Sequence, residues 1–364
     1  MNVTGIIVEY NPFHNGHIKH IKQARKLTKC DLLIAITSGS YCQRGDVSII
    51  NKFDKAKVAL DYGVDLVIEL PYIYTLQNAK VFGEKAIELL NAIGINNLVF
   101  GSETNNIEEL SKYAELNINV DYLKEIMATG LSYPKAYGLL ASSLYPNDIL
   151  AVSYLKAIKD KNIKAFPIKR TSKYHSDTLK KICSASAIRN AIKNKQDYSI
   201  GTPIKIKEPH FNEELYPYIR RILMTSTKDE LSEIFMTSEG IENLLIKNAY
   251  AYDSYSDFIN SCISKRYTKA RIQRVLIHIL NNISKDEVNN LKSLNYIRIL
   301  GFNAKGQEYL RNYQNDNYKI VTQFKNIPED YKNIEWKVAS TYALLLKKPK
   351  EYLVKELKGP IIKK

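Results

Sequence analysis

Two histidines three residues apart, His14 and His17, lie in a turn between an apolar run and an amphipathic stretch, within VTGIIVEYNPFHNGHIKH at 3–20. An imidazole N–H donates to phosphate oxygens. A turn that opens a helix adds unpaired backbone amides and the positive end of the helix dipole. Gly16, with no Cβ, lets a ligand come close to the backbone. Residue type and spacing therefore point to binding of a phosphate chain. Two histidines in a loop are by themselves more often surface residues, and a metal site is disfavoured because no Cys or carboxylate set accompanies them. The strand, turn and helix context favours the phosphate reading.

That context is set by the surrounding residues. Thr4–Val8 is a short β-branched apolar run, and Asn11, Pro12, Asn15 and Gly16 are turn formers. Beyond the turn, Ile18, Ile21, Ala24 and Leu27 recur at helical spacing, with Lys19, Lys22, Arg25 and Lys26 between them. Further strands are expected at 3–8, 31–37, 64–70, 97–100 and 164–168, with helices at 17–29, 52–62 and 79–93, the last closed by Gly94. Such alternation predicts a parallel sheet with helices on both faces and ligands at the carboxyl ends of its strands, where the histidine turn and Gly101 would both emerge. Residues 104–160 read as largely helical, and the stretch after about 205 as mostly helical without βαβ alternation. The expected units are therefore 1–204, a catalytic α/β domain, and 205–364, an α-rich basic domain.

Other polar residues gain meaning beside the histidines. Asn147 precedes a helical segment, so capping is its default role. Ser184 precedes another, with Ser186 and Arg189 inside it, a second helix N-terminus suited to phosphates, and the guanidinium fork of Arg189 matches phosphate geometry. Lys52, Arg44 and Arg170 could neutralise phosphate charge, although each is on base rates a surface cation. His175 and Asp177 could act on an acceptor as base and orienter, or simply belong to a loop. No GxxxxGK[ST] occurs, which disfavours P-loop chemistry.

Composition bounds the rest. With 364 residues, 45% of them hydrophobic, the chain can bury a full core in about two domains. No apolar run approaches the ~20 residues of a membrane span, and no signal-peptide pattern opens the sequence. Cys30, Cys42, Cys183 and Cys262 are scattered without a CxxC pair, which fits reduced thiols in a cytoplasmic protein. The net charge of +15 points to an anionic partner. Lys265, Arg266, Lys269, Arg271 and Arg274 fall within ten residues that hold no acid. If helical, Tyr267, Arg271 and Arg274 would share one stripe, an aromatic face with two guanidinium groups suited to RNA; a solvated helix face is the bland alternative.

The HNGH turn resembles the (H/T)xGH signature of the HUP nucleotidyltransferases. VEYNPFHNGH at 8–17, SGSYCQRGDVS at 38–48, DLVIELP at 65–71, FGSE at 100–103, SYPKA at 132–136, PNDIL at 146–150, YHS at 174–176 and SASAIR at 184–189 follow in the order found in the tRNA(Met) cytidine acetate ligases. SEGIENLL at 238–245, KRYTKARIQR at 265–274 and YIRILGFNAKG at 296–306 extend the likeness to nearly the whole chain. The resemblance implies a Rossmann-like parallel-sheet domain followed by an α-rich domain. It implies ATP and acetate as substrates, Mg²⁺ as companion ion, and elongator tRNA(Met) as partner, its wobble cytidine receiving acetyl from acetyl-adenylate. His14, His17 and Arg189 would be catalytic. The nucleotide would lie along Ile7, Val8, Glu9, Tyr10, Asn11, Pro12, Phe13, His14, Asn15, Gly16, His17 and His20, with Gly101, Asn147, Arg170 and Ser184. RNA would meet Lys265, Arg266, Tyr267, Lys269, Arg271 and Arg274. Two departures stand out: CSASAIR where nucleotidyltransferases carry ISSTxIR, and QRGDVS where the family usually has QRGEPA, so that Asp46 keeps a carboxylate but a proline is lost. The rival readings are an adenylyl- or cytidylyltransferase acting on a small metabolite, and a non-catalytic nucleotide- and RNA-binding protein.

Overall fold

A computed structural model describes residues 1–116, 144–170 and 179–363. SYPKA at 132–136 and YHS at 174–176, with His175 and Asp177, lie outside the described residues.

The apolar runs become strands: β1 (Val3–Val8), β2 (Leu32–Ser38), β3 (Leu66–Leu70), β4 (Asn97–Ser102) and β5 (Lys164–Lys169). They run parallel in the order β5-β4-β1-β2-β3, each pairing closed by register contacts such as Ile6 with Ala35 and with Val99. β2 and β3 are buried at every residue. Strands covered on both faces read as continuous apolar runs rather than alternating ones, and the helices Asn15–Thr28, Lys52–Asp61, Ala79–Ala92 and Pro146–Ile158 join or flank them. Gly94 follows the third of these with φ +88, the left-handed turn expected of it. Chain order reverses at β1, which has β2 on one side and β4 on the other, so the crevice for a ligand opens beyond the carboxyl ends of β1 and β4.

After 205 the chain is largely helical, with the helices Asn212–Thr225, Ile241–Ala251, Tyr255–Cys262, Lys269–Leu280, Glu329–Ala343 and Pro349–Leu357. It also supplies strands that the sequence pattern does not announce. β6 (Tyr296–Phe302) pairs antiparallel with β3, and β7 (Lys319–Val321) and β8 (Ile361–Ile362) pair parallel with β6. YIRILGF is buried along its whole length, and a short apolar run without alternation cannot be told from a buried helix by period alone. The sheet thus continues across the 204/205 boundary.

This junction explains Lys52, which is not a phosphate-binding cation. Its Nζ lies 2.9 Å from Glu69 and 2.7 Å from Glu356, while Arg298 bridges the same carboxylates at 3.1 and 2.8 Å. All four side chains are buried, so each charge has a partner instead of water.

Candidate active site

His14 takes the cap position of the helix Asn15–Thr28, and its Nδ1 accepts from the Gly16 amide at 3.1 Å. The Nδ1 of His17 accepts in turn from the His14 amide at 3.1 Å. Both δ nitrogens being engaged as acceptors, each neutral ring must carry its proton on Nε2, and both rings present an N–H donor at that end. The rings stack with centroids 3.7 Å apart. Burial, with Arg170 and Arg189 nearby, lowers His14 to about 3. Burial first, then His14, His20 and Arg170, holds His17 well below its ordinary value, and burial takes His20 down to about 4. At neutral pH the turn is a set of uncharged donors.

The helix N-terminus differs from expectation in two respects. Its first amides are engaged: Asn15 N–H donates to the Gly201 carbonyl at 3.1 Å, Gly16 N–H to His14, and His17 N–H to the His14 carbonyl at 2.8 Å. A Cβ on Gly16 would lie 2.8 Å from His14 Cε1, so this glycine makes room for the capping imidazole rather than for a ligand. Asn15 anchors loops through Lys181 O (2.7 Å) and Ile200 O (2.9 Å), and Phe13 is buried against Tyr10 and Tyr62. Of the predicted nucleotide residues, Pro12, Phe13 and Asn15 support the turn; the others line one open cleft of about 670 Å³.

Three elements bring the rest together. Arg189, on the helix Ala185–Lys193, donates to the Asn11 carbonyl at 2.6 Å and so clamps the turn. Ser184 caps that helix through Ala187 N–H at 3.1 Å and lies 2.8 Å from Ser186 Oγ. From the end of β5, Arg170 donates to Asn147 Oδ1 at 3.2 Å, its stem passing Gly101 with Cγ 3.4 Å from where a Cβ would stand. Asn147 is not a cap: Tyr145 holds that position, and the Asn147 amide and side chain donate to Glu103. Glu103, which orients Asn147 toward Arg170, was visible only as part of FGSE. Asp148 fixes the same loop through Ser102, Glu103 and Thr104. Buried polar atoms normally find partners, yet His20 Nε2, Tyr10 Oη and Arg170 Nε of residues lining this cleft have none among the described residues.

The cleft does not stop at the sheet. Its far wall is formed by His210–Glu213, Tyr255, Lys269, Ala270 and Gln273 from the helical region. In the basic segment, Lys265, Arg266 and Lys269 are exposed. The expected stripe is broken because the helix begins only at Lys269, with Thr268 as its cap. Tyr267 is buried, donating to the Glu239 carbonyl and covered by Arg271 at 5.2 Å. Arg271 pairs with Glu239 at 3.0 Å, and Arg274 is buried against the Gln43 carbonyl. Arg44 lines the cleft.

ATP fits this wall in chemistry: neutral Nε2–H donors, two guanidinium groups and the cap of a second helix surround the mouth of β1. Among the described residues no group of three or more His, Cys, Asp or Glu could hold a metal ion. No helix among the described residues is long and apolar enough to cross a membrane.

Residues 1–356 match the profile of the HIGH Nucleotidyl Transferase family. A tRNA(Met) cytidine acetate ligase of Fusobacterium nucleatum is 37% identical over 358 residues, covering 90% of each chain. One from Oceanobacillus iheyensis is 36% identical over 400 residues and covers 100% of both. Among solved structures, Thermotoga maritima TmcAL in its apo form superposes with a TM-score of 0.89 at 30% identity, covering 100% of this chain and 99% of that one. The same protein bound with alpha-thio ATP gives 0.87 at 31%.

Proposed function

The chain belongs to the tRNA(Met) cytidine acetate ligase family of HIGH nucleotidyl transferases, and on that premise we propose how its cleft divides the work. It is an ATP-dependent ligase that joins acetate to AMP with loss of pyrophosphate, then passes the acetyl group to the wobble cytidine of elongator tRNA(Met). Residues 1–204 supply the nucleotide chemistry; residues 205–364 supply the helical wall that takes the RNA, tied back by β6, β7 and β8. The reaction belongs to the cytoplasm.

Acetate attacks the α-phosphate, and negative charge grows on the phosphate oxygens. His14 and His17 donate to them from Nε2 without needing to change protonation, and Arg170 and Arg189 offset the charge. A bound Mg²⁺ would add Lewis-acid stabilisation at the triphosphate. The cytosine amine is a poor nucleophile because its lone pair is delocalised, so it needs an acyl donor with AMP as leaving group and close orientation.

The observation that carries this reading is the cleft itself: one wall holds the histidine turn and the other belongs to the helical region that carries the exposed Lys265, Arg266 and Lys269. A transferase for a small metabolite needs no such second wall. Incubating elongator tRNA(Met) with the protein, ATP, Mg²⁺ and labelled acetate should yield labelled acetylcytidine by nucleoside mass spectrometry. Pyrophosphate release without it would move the reading to the metabolite transferase, and neither product would move it to the non-catalytic binder.

A further inference from the structure

The acetyl-transfer step needs a group to take a proton from the cytosine amine, and the histidines are poorly placed for it: both already carry Nε2 protons, and burial opposes a second. Among the described residues, three carboxylates line the cleft. Glu213 is held by Lys193 at 2.6 Å. Glu9 is tucked under the loop after β2, its Oε1 accepting from the Gln43 amide at 2.6 Å, and burial raises its pKa. Asp46 is the third, and its setting differs.

Asp46 lies in QRGDVS, where the loop from β2 meets the helical wall. Its Oδ1 accepts from the buried Gln273 amide at 3.1 Å, and Gln273 also donates to Tyr255 Oη at 3.2 Å. Asn212 ties the same loop to that wall, donating to Tyr255 Oη (2.8 Å) and Gly45 O (3.0 Å) and accepting from Val47 N–H (2.6 Å). The backbone there cannot shift easily: Gly45 has φ +85, and a Cβ on it would stand 2.6 Å from Arg274 N. On its other side the loop is bonded to the phosphate turn, since Asn11 donates to Val47 O at 3.2 Å and accepts from Ile49 N–H at 2.7 Å, while its own carbonyl takes Arg189. A half-buried carboxylate is thus fixed between the nucleotide turn and the RNA-side wall, with one oxygen engaged by Gln273.

We propose that Asp46 is the general base for acetyl transfer, its Oδ2 accepting a hydrogen bond from the cytidine N4 amine, with Gln273 as the positioning residue that orients it. The proposal rests on the acetate-ligase reading above. As N4 forms its bond to the acetyl carbon, one N4 proton passes to Asp46, the carbon–oxygen bond to AMP breaks, and its electron pair leaves with AMP. Proton transfer concerted with attack suits an amine this weak.

The test separates the two half-reactions. Wild-type protein is first assayed for acetylcytidine, so that failure of the ligase reading shows before any variant is read. Asp46→Asn keeps an acceptor for Gln273 but removes the base. We expect acetate-dependent ATP–pyrophosphate exchange within about threefold of wild type, tRNA affinity within about twofold, and transfer from supplied acetyl-adenylate slowed about 100-fold or more. Asp46→Glu should restore transfer to within about tenfold. Undiminished transfer in Asp46→Asn would overturn the proposal, as would parallel loss of exchange and transfer, or failure of Asp46→Glu to exceed Asp46→Asn.

Discussion

Two polar clusters meet the same sheet and are built on opposite principles. At the carboxyl end of β1, His14, His17, His20 and Arg170 line an open cleft. Between β3 and β6, Lys52, Glu69, Arg298 and Glu356 close on one another away from water. The first opens to a ligand; the second holds two parts of the chain together. A buried cation is therefore no sign of an anion site until its partners are known.

The largest test of this contrast is His17→Ala. Loss of one Nε2–H donor to the transition state should cut acetate-dependent pyrophosphate exchange by about 10²–10³-fold, while filter binding to tRNA stays within about twofold. Equal loss of both would mean that the turn is structural, like the other cluster. Glu356→Gln tests the converse. It removes one of the two carboxylates that pair with Lys52 and Arg298 in a buried setting, a mechanism that costs about 3–5 kcal/mol in urea unfolding. The folded fraction should keep its KM for ATP. A stable Glu356→Gln variant with weakened ATP binding would place that cluster in the site.

Legibility in the sequence follows the same division. The histidine turn, β1 to β5 and the helices between them were legible because their signals are local: turn formers after an apolar run, then helical spacing. The residues that the sequence reading grouped around a nucleotide do converge on one cleft, except Pro12, Phe13 and Asn15, which brace it from behind. Lys52 was misleading because its partners are distant in sequence, at Glu69 and Glu356. β6 lacked alternation because both its faces are covered. Glu103 is not legible because its task, orienting Asn147, depends on a contact between the loop after β4 and a helix that begins at Pro146. Tyr267 read as a stacking face only on the assumption that the helix reached it.

The basic segment sharpens the contrast at intermediate size. Arg274 is buried and Arg271 paired, so their removal would mix stability with binding. Replacing the exposed Lys265, Arg266 and Lys269 together by Ala should instead weaken tRNA binding about tenfold or more and lower the salt slope of log K by roughly 2–3. Pyrophosphate exchange should be unaffected by these substitutions when measured without tRNA. An unchanged salt slope would exclude this segment from the RNA interface.

The smallest effect is one of pH, and the two clusters should oppose each other in it. His14, at about 3, and His20, at about 4, lie below the ordinary 6.5, so between those values the unfolded chain binds more protons than the folded one. Their contribution to stability is present above about pH 6.5 and is lost as pH falls. Glu335, beside the ionic cluster, is pushed up to about 7 by burial and the charge of Glu69. Between about pH 4.5 and 7 the folded chain therefore holds the extra proton there, and that contribution is lost as pH rises. Urea unfolding of the wild type should show a shallow dependence across pH 5–6.5, where the two slopes partly cancel. Glu335→Gln keeps an acceptor for the Tyr72 amide, which Glu335 now receives at 2.7 Å, and removes only the titration. Its stability should rise more steeply with pH over that interval than that of the wild type. An identical slope would show that Glu335 does not change protonation on folding, and would leave the histidine turn to set the slope over that interval.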